Sequence, residues 1–460
     1  MEQDFQSFRH DLKKFNRKKN DSVGGRLEFK EALEVVRQEL SKRLSEEMEV
    51  EVKKKTKIEQ VKKDKAYLRE KKKKYRSLIT DIILQENIYV LDYPDTEQGK
   101  FIEEMVEEFA GYSILSDAFY DDAVSDIFVI DYKTIYVERN GENQKYHRSF
   151  RSEKHFKDVV ERFTREAGKE INMGDAKIVD FELYQDRGCA TSPGVSPRDY
   201  SLTLRKHAED HIVEEQLVNW GVLTEEMSEF LGMLITGETN IIYAGLTGSG
   251  KTTSIRALLD KYVTLANKRM LVCEDTQELF PRNDHTLELV SVKSDDKALA
   301  VPLGNLVFTA LRLKPKYIVV GEVRGEEAQA AVEGMETGHS TIFTMHGGNP
   351  WNIVNRLVTK YLMAMPSLGI DVVERIIGAS VDYICIQDNI PGIGRKITSI
   401  SEITYDFEKG RVDVLPIYQF DVFEKEFVLK NGIHPEKADK MMRRGVKPEE
   451  VKAWVRDMAQ

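Results

Sequence analysis

Hydrophobic and polar positions in the first half of the chain follow two different periods. Phe101, Met105 and Phe109 lie four residues apart and define one face of a helix that packs on a core. Short runs of β-branched and aromatic residues predict strands, and a second amphipathic period predicts another helix. The predicted strands are 126–131, 134–138 and 202–205, and the helix is 155–167. The pattern indicates an α+β N-terminal domain over residues 77–208, followed by a linker at 209–219.

The second half of the chain alternates apolar, strand-like runs with helical segments. The candidate strands are 240–244, 270–274, 288–292, 317–321 and 341–345. This alternation predicts an α/β domain over residues 220–430, with a largely parallel sheet and helices on both faces. Residues 431–460 are charged and predict a short helical tail.

Charged residues dominate the first 76 positions, which contain few core-forming side chains. Lysines and arginines cluster between Lys53 and Arg76, directly after an acidic stretch at 45–51. Such a cluster can bind anionic lipid or an acidic partner. A solvated helix or a partly ordered arm explains the same composition and is the simpler interpretation. Residues 1–76 are therefore predicted to be a charged extension, helical or partly disordered.

The overall composition excludes several classes of protein. The formal net charge of −10 over 460 residues argues against a protein built mainly to hold nucleic acid. Cys189, Cys273 and Cys385 lie far apart, so no disulfide framework or structural zinc site is expected, and a reducing cytoplasm fits. No run approaches the roughly 20 apolar residues of a membrane-spanning helix, and the first residues lack the layout of a signal peptide. Any membrane contact is expected to be peripheral.

One octapeptide, Gly245-Leu-Thr-Gly-Ser-Gly-Lys-Thr252, fits the phosphate-binding pattern G-x-x-x-x-G-K-[ST]. A strand is predicted before it and a helix after it, so backbone N–H groups and the helix N-terminus converge on a phosphate. Lys251 can reach the β- and γ-phosphates, and the Thr252 hydroxyl can ligate Mg²⁺. The alternative is an ordinary glycine-rich turn. In that case the predicted strand before the octapeptide and the predicted helix after it would be present only by coincidence. The candidate nucleotide-binding residues are Gly245, Thr247, Gly248, Ser249, Gly250, Lys251, Thr252 and Thr253.

Two of the predicted strands end in carboxylates. The apolar run before Glu322 has the layout of a Walker B strand, so Glu322 is the candidate general base or water-positioning group. A simple ion pair between Glu322 and Arg324 is the alternative. Glu274 ends another strand, and two such strands beside one phosphate site provide carboxylates for both metal and water. The predicted Mg²⁺ ligands are therefore Thr252, Glu274 and Glu322.

Two histidines, His339 and His346, bracket a short apolar run. Their spacing of seven can place one at each end of a strand, and two histidines without a third ligand are weak evidence for a metal. Hydrogen bonding of the imidazole to the γ-phosphate or to the acids is a better explanation than metal ligation. His339 is thus a candidate nucleotide-binding residue and His346 a candidate catalytic residue. The alternative for each histidine is a structural role, in which its ring nitrogens are hydrogen-bonded within the protein.

These motifs, in this order, resemble those of the type II/IV secretion ATPase superfamily, the motors of secretion systems and pili. The matching segments are the octapeptide, Glu274-Asp-Thr-Gln-Glu278, Val320-Gly-Glu-Val-Arg-Gly325, and Thr337-Gly-His with His346 seven residues on. The tight-adherence (CpaF-like) and VirB11-like branch is the most similar, and residues 338–346 resemble archaeal pilus and archaellum motors. The sequence departs from the family in two places: two glycines follow His346, and Lys316 replaces an acid.

The resemblance implies a RecA-like P-loop domain in a hexameric ring that hydrolyses ATP with Mg²⁺ at its subunit interfaces. It implies that Glu322 orients water with help from Glu274 and that His346 senses the γ-phosphate. Arg187 and Arg205 match family arginines that reach phosphates across a subunit or domain boundary, so they are candidate arginine fingers. Force would pass to an integral-membrane platform protein at the cytoplasmic face of the membrane. The output would be assembly of a pilus- or archaellum-type filament, or protein secretion.

Two other functions stay open on the sequence. A RecA-like translocase stimulated by nucleic acid would use the basic cluster between Lys53 and Arg76, but base-stacking aromatic residues are not interleaved with it. A nucleotide-gated scaffold would bind ATP and barely hydrolyse it, and the set of acids and arginines argues against this function. No nucleic-acid partner is expected.

Overall fold

The computed structural model describes residues 26–52, 64–94, 97–206, 212–265, 267–292, 294, 296 and 298–456. The chain forms two compact units, Met1–Glu209 and Asp210–Gln460. The first half of the predicted basic cluster, residues 53–63, lies outside the described residues, as do the residues considered for a signal peptide. Within the described ranges, no helix has both the length and the apolar character needed to cross a bilayer.

The N-terminal unit contains a six-stranded sheet of order β5-β4-β3-β8-β7-β6, in which every neighbouring pair is antiparallel. A separate short parallel pair joins β1 and β2. The helices are α1 (Phe29–Val52), α2 (Lys65–Gln85), α3 (Gln98–Ala110), α4 (Ser116–Phe119) and α5 (Glu153–Glu166). The strands are β1 (Arg26–Leu27), β2 (Tyr89–Val90), β3 (Val124–Val129), β4 (Ile135–Arg139), β5 (Glu142–Lys145), β6 (Ile178–Leu183), β7 (Asp186–Thr191) and β8 (Ser201–Arg205).

One face of the six-stranded sheet is buried and the other is accessible. Along β6, Val179, Phe181 and Leu183 are buried while the residues between them are exposed. This period of two is typical of an antiparallel sheet that packs on a core with one face only. Phe156 and Phe163 of α5 belong to the same apolar cluster, so α5 covers the buried face. Along β6, the charged residues Asp180 and Glu182 lie on the accessible face.

A second apolar cluster joins α1, α2 and α3. Phe101 and Met105, predicted to face a core, are buried in it, and Phe109 packs against it. Ile79 and Ile83 of α2 belong to the same cluster, while Leu68 near the start of α2 belongs to the cluster under the sheet. The boundary predicted at 76/77 therefore falls inside a continuous helix, because a charged helix can still bury an apolar stripe at i, i+3 and i+4 spacing.

The described half of the basic cluster faces carboxylates of the same unit. Lys71 pairs with Glu166 at 2.5 Å, and Lys72 pairs with a second carboxylate, that of Glu107. Arg76 donates two hydrogen bonds to Glu103. Long cationic side chains that lie along a packed helix bury their stems and reach local acids. These three side chains of the basic cluster are therefore paired with carboxylates of their own unit.

The C-terminal unit is built around a nine-stranded sheet of order β11-β10-β12-β13-β9-β14-β15-β16-β17. The helices are α6 (Glu214–Asn219), α7 (Glu225–Thr236), α8 (Lys251–Leu265), α9 (Leu303–Arg312), α10 (Glu327–Glu336), α11 (Pro350–Ala364), α12 (Ile370–Ser380), α13 (Pro435–Arg443) and α14 (Pro448–Lys452). The strands are β9 (Ile241–Gly245), β10 (Met270–Glu274), β11 (Thr286–Val290), β12 (Tyr317–Val320), β13 (Ser340–His346), β14 (Tyr383–Ile390), β15 (Gly394–Asp406), β16 (Arg411–Asp421) and β17 (Glu426–Leu429).

The part of this sheet from β11 to β14 is parallel, and β15 to β17 extend it as antiparallel strands. Strand β9 is buried on both faces: Ile241 and Tyr243 join one apolar cluster, and Ile242 and Ala244 join the other. Helices on both faces produce this burial, which explains why the parallel strands are continuous apolar runs in the sequence. The predicted RecA-like fold of the C-terminal domain is confirmed.

Both ends of the C-terminal unit pack on this core. Residues 214–219 were predicted as part of a linker, but they form α6, and Leu217 is buried in the core. In the tail, Met441 of α13 is buried in the same cluster. Buried Asp382 also holds the tail, because Lys437 and Lys440 reach its carboxylate at 2.6 and 2.5 Å. The helical tail is therefore an integral part of this unit.

Candidate nucleotide site

The phosphate-binding loop runs from the end of β9 to the first turn of α8. Gly248 and Gly250 have φ values of +77° and +89°, a left-handed backbone that favours glycine. A Cβ atom on Gly245 would collide with the carbonyl oxygen of Gln387 in β14, so only glycine fits there. The Lys251 ammonium donates to the carbonyl oxygens of Gly245 and Leu246, each at 3.0 Å. The lysine is thereby folded over the loop that a phosphate would enter.

The acids and one histidine lie at the same edge of the sheet as this loop. Glu274 ends β10, and Glu322 follows the neighbouring strand β12, so parallel pairing brings their backbones to one edge. His346 ends β13, where it is the register partner of Gly245. A Cβ atom on Gly321 would lie 2.8 Å from Cγ of Glu274, so a glycine before Glu322 makes room for the Glu274 side chain. The structure thus assembles the predicted acids, His346 and the loop.

Glu322 lies between a cation and an imidazole. Its Oε2 accepts a hydrogen bond from Nη2 of Arg324 at 2.5 Å, and its Oε1 is 2.9 Å from Nε2 of His346. Burial would raise the pKa of Glu322, but the Arg324 hydrogen bond and the charges of His346, Arg324 and Lys251 lower it overall. The pKa of His346 is lowered, first by burial and then by Lys251. Near neutral pH, Arg324 rather than His346 therefore supplies the positive charge beside Glu322.

The Glu322–Arg324 pair, the predicted alternative to a catalytic role, is present in the structure. The Arg324 side chain is 60% exposed, however, and the Glu322 side chain only 21%. An ion pair with one solvated partner contributes about 0–1 kcal/mol, so other partners compete for the same carboxylate at little cost. The pair therefore leaves Glu322 able to exchange Arg324 for water or a metal-bound ligand.

Glu274 is in a drier environment than Glu322. Its Oε1 accepts hydrogen bonds from the backbone N–H groups of Glu278 and Leu279 at 3.1 and 3.2 Å. Its Oε2 is buried and, among the described residues, has no hydrogen-bond partner. Burial is the main cause that raises the pKa of Glu274 from 4.5 to about 8. A buried carboxyl oxygen without a partner fits a site that receives a cation or a water molecule.

The elevated pKa of Glu274 predicts a pH-dependent stability. The folded protein holds the Glu274 proton more tightly than the unfolded chain does, so proton binding stabilises the folded state. This contribution to the free energy of unfolding is full below about pH 4.5 and is lost as the pH rises through about 8. Glu274→Gln is neutral at every pH and should become more stable relative to the wild type as the pH rises. The difference in free energy of unfolding between Glu274→Gln and the wild type should change by on the order of 2–4 kcal/mol between pH 5 and pH 9.

Thermal unfolding of the two proteins across this pH range measures the effect. The matched control is Glu449→Gln, the same substitution at an exposed position of α14. A constant difference between Glu274→Gln and the wild type would contradict the assignment of a protonated Glu274.

Metal ligation at this edge would depend on the nucleotide. Within the described ranges, no group of three or more histidine, cysteine, aspartate or glutamate residues is arranged to hold a metal ion. Mg²⁺ in nucleotide sites usually keeps waters and takes one or two carboxylates plus substrate phosphates. The Thr252 hydroxyl, the Glu322 carboxylate and, once its proton has left, the Glu274 carboxylate are oxygen donors of the kind Mg²⁺ prefers.

His339 lies at the opposite edge of the sheet from the phosphate-binding loop of its own chain. It precedes Ser340, the first residue of β13, and Ser340 pairs with Tyr317 at the start of β12. Its Nδ1 is 3.0 Å from the carbonyl oxygen of Pro315. The seven residues of β13 separate this edge from the loop by about 23 Å. His339 therefore cannot contact a phosphate held by the loop of its own chain.

The two candidate arginine fingers lie side by side in the N-terminal unit. Arg187 of β7 is the register partner of Arg205 of β8, so both side chains project from one face of the sheet. Arg205 Nε donates to Asp126 Oδ1 at 2.8 Å, and Glu182 is the register partner of Arg187 on the other side. The structure therefore forms a row of two arginines flanked by carboxylates.

Two residues beside the loop were missed by the sequence reasoning. Gln387 Nε2 donates to the carbonyl oxygen of Ser249, and Tyr243 donates its hydroxyl to Gln387 Oε1, both at 2.7 Å. Arg395 Nε donates to the carbonyl oxygen of Gly248 at 3.3 Å. Gln387 lies on β14 and Arg395 on β15, far along the chain from the loop, and no motif spacing identifies them. Only the pairing of β14 with β9 brings them there.

A phosphate-binding loop at the carboxyl edge of a parallel sheet, with acids at the same edge after two further strands of that sheet, defines a P-loop protein of the RecA-like class. The chain belongs to the type II/IV secretion system protein family, whose sequence model matches residues 108–391.

Relatives of this chain occur in archaea and bacteria. An uncharacterized protein of Methanocaldococcus jannaschii is 29% identical over 266 residues, which are 57% of this chain and 47% of that protein. The chain thus spans about half the length of that relative. A putative conjugal transfer protein of Mycobacterium tuberculosis is 25% identical over 337 residues, 71% of this chain and 94% of that protein. Among solved structures, the Legionella pneumophila ATPase DotB is 21% identical, with a TM-score of 0.42 over 63% of this chain and 78% of that chain.

Proposed function

We propose that this chain is a subunit of an ATP-hydrolysing motor that drives filament assembly or protein secretion through a membrane platform. The observation that carries the proposal is the convergence of Lys251, Glu322 and His346 where the phosphate-binding loop begins. Phosphoryl transfer to water needs neutralised phosphate charge and an oriented water molecule more than it needs covalent chemistry. Membership of the secretion system family supports an output in secretion or pilus assembly.

In the proposed reaction, the loop and the start of α8 bind the phosphates of ATP. Backbone N–H groups of residues 247–253 and the helix N-terminus supply donors. Lys251 exchanges its two carbonyl partners for β- and γ-phosphate oxygens, which accept more strongly because they are charged. Thr252, Glu274 and Glu322 would hold Mg²⁺, which neutralises phosphate charge when it is bound.

Glu322 is the proposed group that orients the attacking water and accepts its proton. Its lowered pKa keeps it ionised at neutral pH, as a base requires. His346, whose own pKa is lowered, is a neutral imidazole that can hydrogen-bond to Glu322 and to a γ-phosphate oxygen. Loss of the γ-phosphate would remove one of these contacts, so the position of His346 would follow the state of the nucleotide.

Arg187 and Arg205 are the proposed arginine fingers. The function requires both to reach a phosphate held by residues 245–252, of the same chain or of another copy. Arg205 would exchange its contact with Asp126 for the phosphate, a charge-assisted pairing of the same kind. A homo-hexamer at the inner face of the membrane, coupled to an integral-membrane platform protein, is the proposed assembly. The products would be a pilus- or archaellum-type filament or a secreted protein.

ATP turnover by the full chain tests this proposal. We expect Mg²⁺-dependent hydrolysis that rises with protein concentration as copies associate and that does not respond to single-stranded DNA at physiological salt. Arg205→Ala should lower turnover by about tenfold or more, since arginine fingers contribute larger factors in related chemistry. Arg139→Ala is the matched control, because Arg139 lies on β4 of the same sheet and pairs with Asp121.

Two outcomes would count against the motor, and a third would count against the role of Arg205. Strong stimulation by single-stranded DNA would favour the nucleic-acid translocase. ATP binding without turnover, even with membranes and the platform partner present, would favour the scaffold. Equal turnover by Arg205→Ala and Arg139→Ala would remove Arg205 from the mechanism.

A further inference from the structure

The hairpin between β14 and β15 lies against the phosphate-binding loop. Gly392 and Gly394 have φ values of +76° and +96°, so the turn adopts a backbone that favours glycine. Arg395 follows directly, opposite Asn389 of β14. Its Nε donates to the carbonyl oxygen of Gly248, and its Cδ lies 3.1 Å from where a Cβ on Gly250 would stand. The Nε atom, where the guanidinium joins the side chain, is thus hydrogen-bonded to the loop.

The charge of Arg395 is not compensated by a carboxylate in the described part of the chain. Arginines such as Arg324 and Arg456 have acidic partners within 4 Å, Glu322 and Glu402 respectively. An arginine has five N–H donors, and the Gly248 contact uses one of them. The remaining donors of an exposed guanidinium therefore lie beside a loop whose shape suits a polyphosphate.

We propose that Arg395 is a nucleotide-binding residue whose guanidinium contacts phosphate oxygens of the nucleotide bound at residues 245–252. This inference rests on the proposed function, because it assumes that the loop binds a nucleoside di- or triphosphate. The Nε contact with Gly248 fixes the direction of the side chain, so little conformational entropy is lost when the outer nitrogens bind phosphate. Strand β15 would thereby contribute a side chain to the phosphate site in addition to the loop.

The test is nucleotide binding by the full-length protein and its variants. We expect Arg395→Ala and Arg395→Gln each to weaken the Kd for ADP by about tenfold or more, as for loss of a charge-assisted contact. Arg395→Lys should retain most of the affinity, since it keeps the charge. The loss should shrink at high salt, because it is electrostatic. Adenosine, which has no phosphate, should bind equally to all variants.

The matched control is Arg411→Ala. Arg411 is an exposed arginine of the same sheet and forms an ion pair with Asp413. It lies opposite Asp406, the last residue of β15, about 36 Å along that strand from Arg395. It should bind ADP as the wild type does. Thermal unfolding without nucleotide should be the same for the Arg395 variants and the wild type, which separates binding from folding.

The outcomes distinguish this inference from the proposed function. If Arg395 only braces the loop through the Gly248 carbonyl, Arg395→Gln, which keeps an N–H donor, will bind ADP with wild-type affinity. That result, or a loss equal for ADP and adenosine, would overturn the inference and leave the motor proposal standing. If the wild-type protein binds no ADP or ATP, the proposed function itself is wrong.

Discussion

Replacement of Lys251 by alanine is expected to reduce ATP turnover to below about 1% of the wild-type rate, since this lysine supplies the positive charge nearest the β- and γ-phosphates. The structure places its ammonium over the loop, 3.0 Å from the carbonyl oxygens of Gly245 and Leu246. Alanine removes a charge that no other residue of the loop carries. ATP affinity should fall with turnover, because the contact exists in both the ground state and the transition state.

The measurement is steady-state ATP hydrolysis together with equilibrium nucleotide binding. Lys261→Ala is the matched control, because Lys261 lies on the same helix, α8, and pairs with Glu214 on α6. Lys251→Met keeps most of the side-chain volume and separates loss of charge from loss of packing. Wild-type turnover by both Lys251 variants would place ATP hydrolysis outside residues 245–252.

Glu322→Gln is expected to slow hydrolysis by about a hundredfold or more while changing ATP affinity by less than about threefold. The amide keeps the shape of the side chain and cannot accept the proton of an attacking water. The lowered pKa of Glu322 makes the carboxylate the form present at neutral pH, so the wild-type rate should not rise through a pKa of this group above pH 6. Single-turnover hydrolysis and equilibrium binding separate the two effects.

Two further variants distinguish catalysis from the ion pair with Arg324. Glu326→Gln lies four residues away at an exposed position and should hydrolyse ATP at the wild-type rate. Arg324→Ala removes the pair but leaves the carboxylate, so it should retain far more activity than Glu322→Gln. Equal losses for Arg324→Ala and Glu322→Gln would mean that Glu322 serves mainly as the partner of Arg324.

The parallel core of the C-terminal unit could be predicted because its signals are local. Strands buried on both faces are continuous apolar runs, and β9, β10 and β12 begin and end within a residue or two of the predicted segments. A loop that needs glycines at fixed positions leaves a motif that can be recognised without any tertiary contact. Acids that follow a parallel strand must lie at the carboxyl edge, so Glu274 and Glu322 could be placed beside the loop from order alone.

The phosphate-binding loop and the acid-ended strands could thus be predicted from the sequence, because each depends on neighbours within a few residues. The RecA-like class was implied by the resemblance of the ordered motifs to a known family. The folded structure was needed to show that the tail packs on the core and that Lys71, Lys72 and Arg76 pair with local acids. It also brought Gln387 and Arg395 to the loop. These contacts join residues far apart in the chain, and their partners are set by strand order and helix packing, which leave no fixed spacing in the sequence.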